Sequence, residues 1–95
     1  MSAETVARIR EILSQQIPVI GLEIEDDSAL HAGHAGARDG GGHYRVYIVS
    51  AAFEGCSRVQ RQRMIYTALG DMMKREIHAL AIRALTATEA TTHAN

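Results

Sequence analysis

The sequence predicts an α+β fold, a three-stranded mixed sheet with helices packed on one face, and three observations carry that expectation. Two segments repeat apolar residues at helical spacing: Val6, Ile9, Leu13 and Ile17 in the first, and Ile65, Ala68, Leu69, Met72 and Met73 in the second. Two others, 19–26 and 43–50, alternate in the way a strand covered on one side requires. A short apolar run after His78, Ala79-Leu80-Ala81-Ile82, has the length and composition of a buried third strand. The resulting order is helix, strand, strand, helix, strand, short helix, which layers as helices over a small sheet.

Each element has its own signals. Residues 3–16 form the first helix, with Ser2 or Thr5 as N-cap and Glu4 near the positive end of the helix dipole. Pro18 stops it, because proline removes an amide donor and pushes Ile17 toward extended geometry. The strand 19–26 follows, with Ile20, Leu22 and Ile24 on one face and Gly21, Glu23 and Glu25 on the other. From 27 to 42 the chain reads DSALHAGHAGARDGGG, a glycine- and alanine-rich stretch expected to be a flexible loop. The second strand, 43–50, returns antiparallel to the first across it. A tight turn around Gly55 leads to Ser57, an N-cap for a long helix ending near Lys74 or Arg75. The third strand spans 78–84, residues 85–90 form a last helical turn, and 91–95 are expected to be a frayed, disordered tail.

Composition restricts function. The chain has 95 residues, 46% of them hydrophobic, which makes one domain over 1–95 that folds without metal or disulfide staples. Phe53, Tyr44, Tyr47 and Tyr66 are the only aromatics, so the core is aliphatic and no base-stacking platform is expected. A net charge of −1 argues against a surface that tracks phosphate throughout, yet it permits a local basic stripe. The single cysteine, Cys56, excludes an internal disulfide and a cysteine-rich zinc framework, and fits a reducing compartment, the cytoplasm. No stretch approaches the length needed to cross a bilayer, so a soluble chain without a membrane partner is expected.

The residues that carry chemistry are few. Arg58, Arg61, Arg63, Lys74 and Arg75 project away from the apolar side of the long helix. They suit phosphate neutralisation on DNA or an acidic partner, with Gln60 and Gln62 the polar side chains able to reach base edges. Cys56 precedes a helix and lies near Arg58, but reads first as a small thiol in a turn. His43 opens a strand as a structural residue or spare ligand, and His93 has no role. Gly33-His34-Ala35-Gly36 spells GxxG, but between two strands rather than two helices. With no nucleophile beside its own base, no carboxylate pair on one face and no nucleotide-binding glycine loop, the chain reads as non-catalytic.

Phe53-Glu54-Gly55, the V-x-R-x-R-M-I-Y run from Val59 to Tyr66, and His78-Ala79-Leu80-Ala81-Ile82, together with HAGHAG ahead of HYRVYIVS, resemble the BolA family over almost the whole chain. The resemblance implies a fold similar to the class II K-homology domain, α-β-β-α-β-α. It further implies DNA binding in transcriptional control and partnership with a monothiol glutaredoxin around a bridging 2Fe-2S cluster. The family's C-terminal ligand histidine falls on His78, and its loop ligand on His34 or His31. Counting back from the HYRV strand favours His34, and counting forward from Asp27-Ser28 favours His31. Two histidines do not complete a cluster, and the resemblance supplies the remainder as a glutaredoxin cysteine with glutathione. Two departures stand out. Arg61-Gln62-Arg63 replaces the R-H-R of many relatives, and Thr86-Ala87 replaces a threonine-proline, which leaves the start of the last helix less fixed. The implied function is a non-catalytic adaptor in iron-sulfur trafficking or iron and redox regulation, a monomer or weak homodimer by itself. The alternative is a DNA-binding regulator using the helix over 57–75.

Overall fold

The computed structural model describes residues 2–27 and 42–93. Helix α1 (Ser2–Gln16) leads into strands β1 (Val19–Asp26) and β2 (Gly42–Ser50), a 3-10 turn (Ala51–Phe53) and helix α2 (Arg58–Leu69). A second 3-10 turn (Gly70–Lys74), strand β3 (Ile77–Leu85) and helix α3 (Ala87–His93) complete it. The sheet order is β1-β2-β3, with β1 antiparallel and β3 parallel to the central β2. This is the mixed α+β sheet that the patterning predicts.

Central β2 places Tyr44, Val46 and Ile48 on the face that meets Ile9 and Leu13 of α1 and Ile65 and Leu69 of α2, and Phe53 joins the same core. The parallel β2–β3 pair needs a crossover, and α2 supplies it. Ser57 caps α2 with a reciprocal box: its hydroxyl accepts from the Gln60 amide at 3.1 Å while the Gln60 side chain accepts from the Ser57 amide at 2.7 Å.

Four expectations need correction. The helix expected over 57–75 is interrupted at Gly70, whose φ of 54° lies where side-chain-bearing residues are strained, and the chain tightens into a 3-10 turn. Lys74 and Arg75 therefore do not continue the helix that carries Arg58 and Arg63. Ile20 is not on the core face, because a bulge between Val19 and Gly21 turns it out to 62% exposure, and Val19 packs inward instead. β3 is an edge strand, with His78, Ala79, Ala81 and Arg83 exposed, rather than a buried one. Finally, Thr91–His93 continue α3 where a frayed tail was expected. The start of α3 is well fixed: the Thr86 hydroxyl accepts from the Glu89 amide at 3.2 Å, and the Glu89 carboxylate accepts from the Thr86 amide at 2.8 Å.

Candidate functional site

The entrance of β3 is tied to its neighbours at several points. Glu76, just before the strand, accepts from Arg8 of α1 at 2.7 Å through its carboxylate and from the Gly42 amide at 2.9 Å through its carbonyl. The Asp27 amide donates to the His43 carbonyl at 2.7 Å, and Arg45 pairs with Asp27 at 3.1 Å. Gly42 thus enters the sheet beside the start of β3, and Asp27 leaves it at the same end but one strand away, across His43. A Cβ at Gly42 would overlap the Tyr44 ring, so glycine suits this crowded corner.

His78 occupies a register shift. Gly42 pairs with Ile77 and His43 with Ala79, which leaves His78 as the extra residue on β3. Ile77 is buried, while His78 is exposed with its ring centroid 5.1 Å from that of His43, tilted by 48°. His43 Nε2 is itself buried. The residue read as structural or a spare ligand is therefore the neighbour of the predicted ligand. Nothing in the linear spacing, 35 positions apart, signals this; the parallel register creates it.

His31 and His34, the two loop-ligand candidates, lie outside the described residues. The stems nevertheless bound their reach. His31 is four residues from Asp27 and His34 eight from Gly42, spans of at most about 14 and 28 Å when extended. Among the described residues no group of three or more His, Cys, Asp or Glu side chains gathers as a metal site. An exposed imidazole fits a cluster whose other ligands come from the loop and from a second molecule, since histidine is a competent ligand to iron.

The cationic residues divide into two kinds. Arg58 and Arg63 are exposed on α2, Lys74 at the end of the separate turn and Arg75 just after it. Arg61 is committed to the fold: only 13% of its side chain is exposed. Its Nε donates to the Cys56 carbonyl at 3.1 Å, and Nη1 donates to the Ala84 carbonyl at 3.0 Å. Nη1 and Nη2 also grip Glu89 at 2.6 and 3.2 Å, and the guanidinium lies 5.9 Å from the Phe53 ring centroid. These bonds raise the Arg61 pKa, the Glu89 hydrogen bonds most of all. Reciprocally, Arg61 and then the Thr86 amide hold the Glu89 carboxyl down at about 2. Glu89 was missed in the sequence, although Thr86-Ala87-Thr88-Glu89 has the T-x-x-E spacing of a capping box that would have exposed it.

The BolA-like protein family profile matches residues 13–89. The chain belongs to the BolA-like family. Its fold aligns with the BolA domain of SufE1 from Arabidopsis thaliana at 45% identity and a TM-score of 0.76, covering 87% of this chain and 92% of that one. The solution structure of mouse BolA1 aligns at 37% identity and a TM-score of 0.78, over 94% of this chain and 70% of that one. The DNA-binding transcriptional regulator BolA of Escherichia coli is 35% identical over 82 residues, 86% of this chain and 75% of its own length. This BolA-like chain spans only 24% of full-length SufE-like protein 1, chloroplastic/mitochondrial, of Arabidopsis and 56% of mouse BolA-like protein 1. No helix among its described residues is long and apolar enough to cross a membrane.

Proposed function

We propose that this BolA-like chain is a non-catalytic cytoplasmic adaptor that binds a monothiol glutaredoxin and shares a 2Fe-2S cluster with it. His78 and one of His31 or His34 would be its ligands, with glutathione arriving through the partner. The observation that supports this reading is the placement of the stems of the histidine-bearing segment: Gly42 enters the sheet beside the start of β3, and Asp27 leaves it one strand further away across His43, at the same end of the sheet where the bulge turns His78 to solvent. When bound, such a cluster supplies electron transfer or transferable iron and sulfide, at a potential raised by histidine ligation. The chain's own contribution is orientation. Gly42, Glu76 and Arg8 fix the stem, and His43 lies against the His78 ring.

Co-expression with a monothiol glutaredoxin tests this. A coloured complex should form, and its visible circular dichroism should change in His78→Ala and in one of His31→Ala or His34→Ala. A colourless complex after anaerobic reconstitution would overturn the reading.

A second reading, a DNA-binding regulator, draws support from the name of the Escherichia coli relative and from exposed Arg58 and Arg63. Its test is the salt slope of DNA binding in an Arg58→Gln/Arg63→Gln double variant, which should fall by about 2 if both arginines neutralise phosphates. Arg61 does not belong in that test, since it is held inside the fold.

A further inference from the structure

Away from the imidazole end of the sheet, α2, β3 and α3 border a cleft of about 600 Å³, a size suited to small organic ligands. Arg58 and Gln62 line it from α2, and Arg83 from β3, with Ile82 and Leu85 adding apolar surface. Arg61 and Glu89 also reach it, but their bidentate pairing cancels their charges. What remains is positive. Arg58 and Arg83 are both exposed, and no carboxylate among the described residues pairs with either.

Arg58 is also poorly placed for stabilising its own helix. It is the first residue of α2, where a cation opposes the helix dipole, and no acidic residue offsets it in the first turn. The guanidinium and the positive end of the helix therefore add, and an anion in the cleft would be attracted by both. Arg83 leaves β3 on the face opposite Ile82, beside Tyr47, Glu23 and Glu25, so it meets the cleft over the open edge of the strand; it forms no ion pair on the sheet face.

We propose that this cleft binds a small organic dianion, a phosphate monoester or a dicarboxylate, held by Arg58 from one wall and Arg83 from the other, with Gln62 adding a neutral hydrogen bond. Guanidinium groups from separate elements suit either one phosphate dianion gripped between them or two carboxylates joined by a short apolar body, and the apolar part of either would rest on Ile82 and Leu85. The site is separate from the proposed ligand histidine: Arg83 follows His78 by five residues on β3, about 17 Å along an extended strand. Cys56, half-buried on the rim with its thiol donating to the Ala52 carbonyl at 3.6 Å, reports on occupancy without taking part.

The test is an amide NMR titration of the full chain with phenyl phosphate and, separately, with succinate. Saturable shifts confined to residues 56–62 and 82–89 are expected, and whichever probe binds more tightly identifies the anion class. The Arg58→Gln/Arg83→Gln variant touches no hydrogen bond of the fold and should weaken binding by about tenfold or more. Lys74→Gln should leave binding unchanged. The bound probe should also slow alkylation of Cys56 by neutral iodoacetamide. Shifts that do not saturate by about 10 mM, that centre elsewhere, or that persist at full affinity in the double variant would overturn the proposal.

Discussion

Replacing Arg61 by alanine should destabilise the protein far more than replacing any other arginine of α2. The side chain joins three elements: it donates to the Cys56 carbonyl before α2, to the Ala84 carbonyl on β3 and to the Glu89 carboxylate on α3. The two carbonyl bonds are part-buried, and at about 1.5 kcal/mol each, the low end for a charged donor, their loss costs about 3 kcal/mol. For a domain of this size that is a fall in Tm of about 12–24 °C. Urea unfolding followed by circular dichroism measures it, with Arg58→Ala as the exposed control, expected within about 0.5 kcal/mol of wild type. The Glu89 arm has a separate signature in acid. Its folded pKa is lowered to about 2 from an ordinary 4.5, so its contribution is present above 4.5 and is lost as pH falls through about 2. Glu89→Gln should therefore lose stability less steeply than wild type over that window, and salt should shrink the difference because the carboxylate is partly exposed. Equal losses in Arg61→Ala and Arg58→Ala would refute the assignment of Arg61 to the fold.

Gly70→Ala forces a side chain into φ 54°, ψ −124°, and should cost about 1–3 kcal/mol by denaturant titration. Ser57→Ala removes the hydroxyl half of the α2 capping box and should cost about 1 kcal/mol in the same assay, with Ser57→Gly costing less than that. Ile20→Ser on the exposed bulge should stay within about 0.5 kcal/mol of wild type, whereas Ile48→Ala in the buried centre of β2 should lose about 2–5 kcal/mol. Comparable losses at Ile20 and Ile48 would show that the bulge at β1 is misplaced.

The periodic parts of the fold were legible because burial selects side chains at regular intervals. Ile9 and Leu13 on α1, Tyr44, Val46 and Ile48 on β2, and Ile65 and Leu69 on α2 all occupy the faces their spacing implies. Irregularities were not legible, and they decide the site. A bulge shifts parity by one, so alternation counted through Ile20 or His78 assigns the wrong face on one side of the shift. The break at Gly70 was hidden because Met72 and Met73 keep an inward position through the 3-10 turn, so the apolar pattern runs on past the end of the helix. Arg61 looked like its exposed neighbours because its partners lie 23 and 28 residues away on β3 and α3. The contact between His43 and His78 depends on the parallel pairing of β2 with β3, a choice that no local pattern records.

The position of His78 follows from core packing at its two sides. Ile77 is buried, and Leu80, three residues on, also packs against the core. In a regular strand, residues an odd number apart point to opposite faces, so both cannot face inward without one extra residue between them. The bulge accommodates that residue, and His78 is turned outward beside His43 as a consequence. The availability of the imidazole is thus set by the apolar spacing around it rather than by any bond to its ring. A polar residue at 77 would remove the reason for the bulge, and regular alternation from Leu80 would then carry His78 toward the core face. Ile77 is therefore a determinant of the proposed ligand's exposure, although its own side chain is buried.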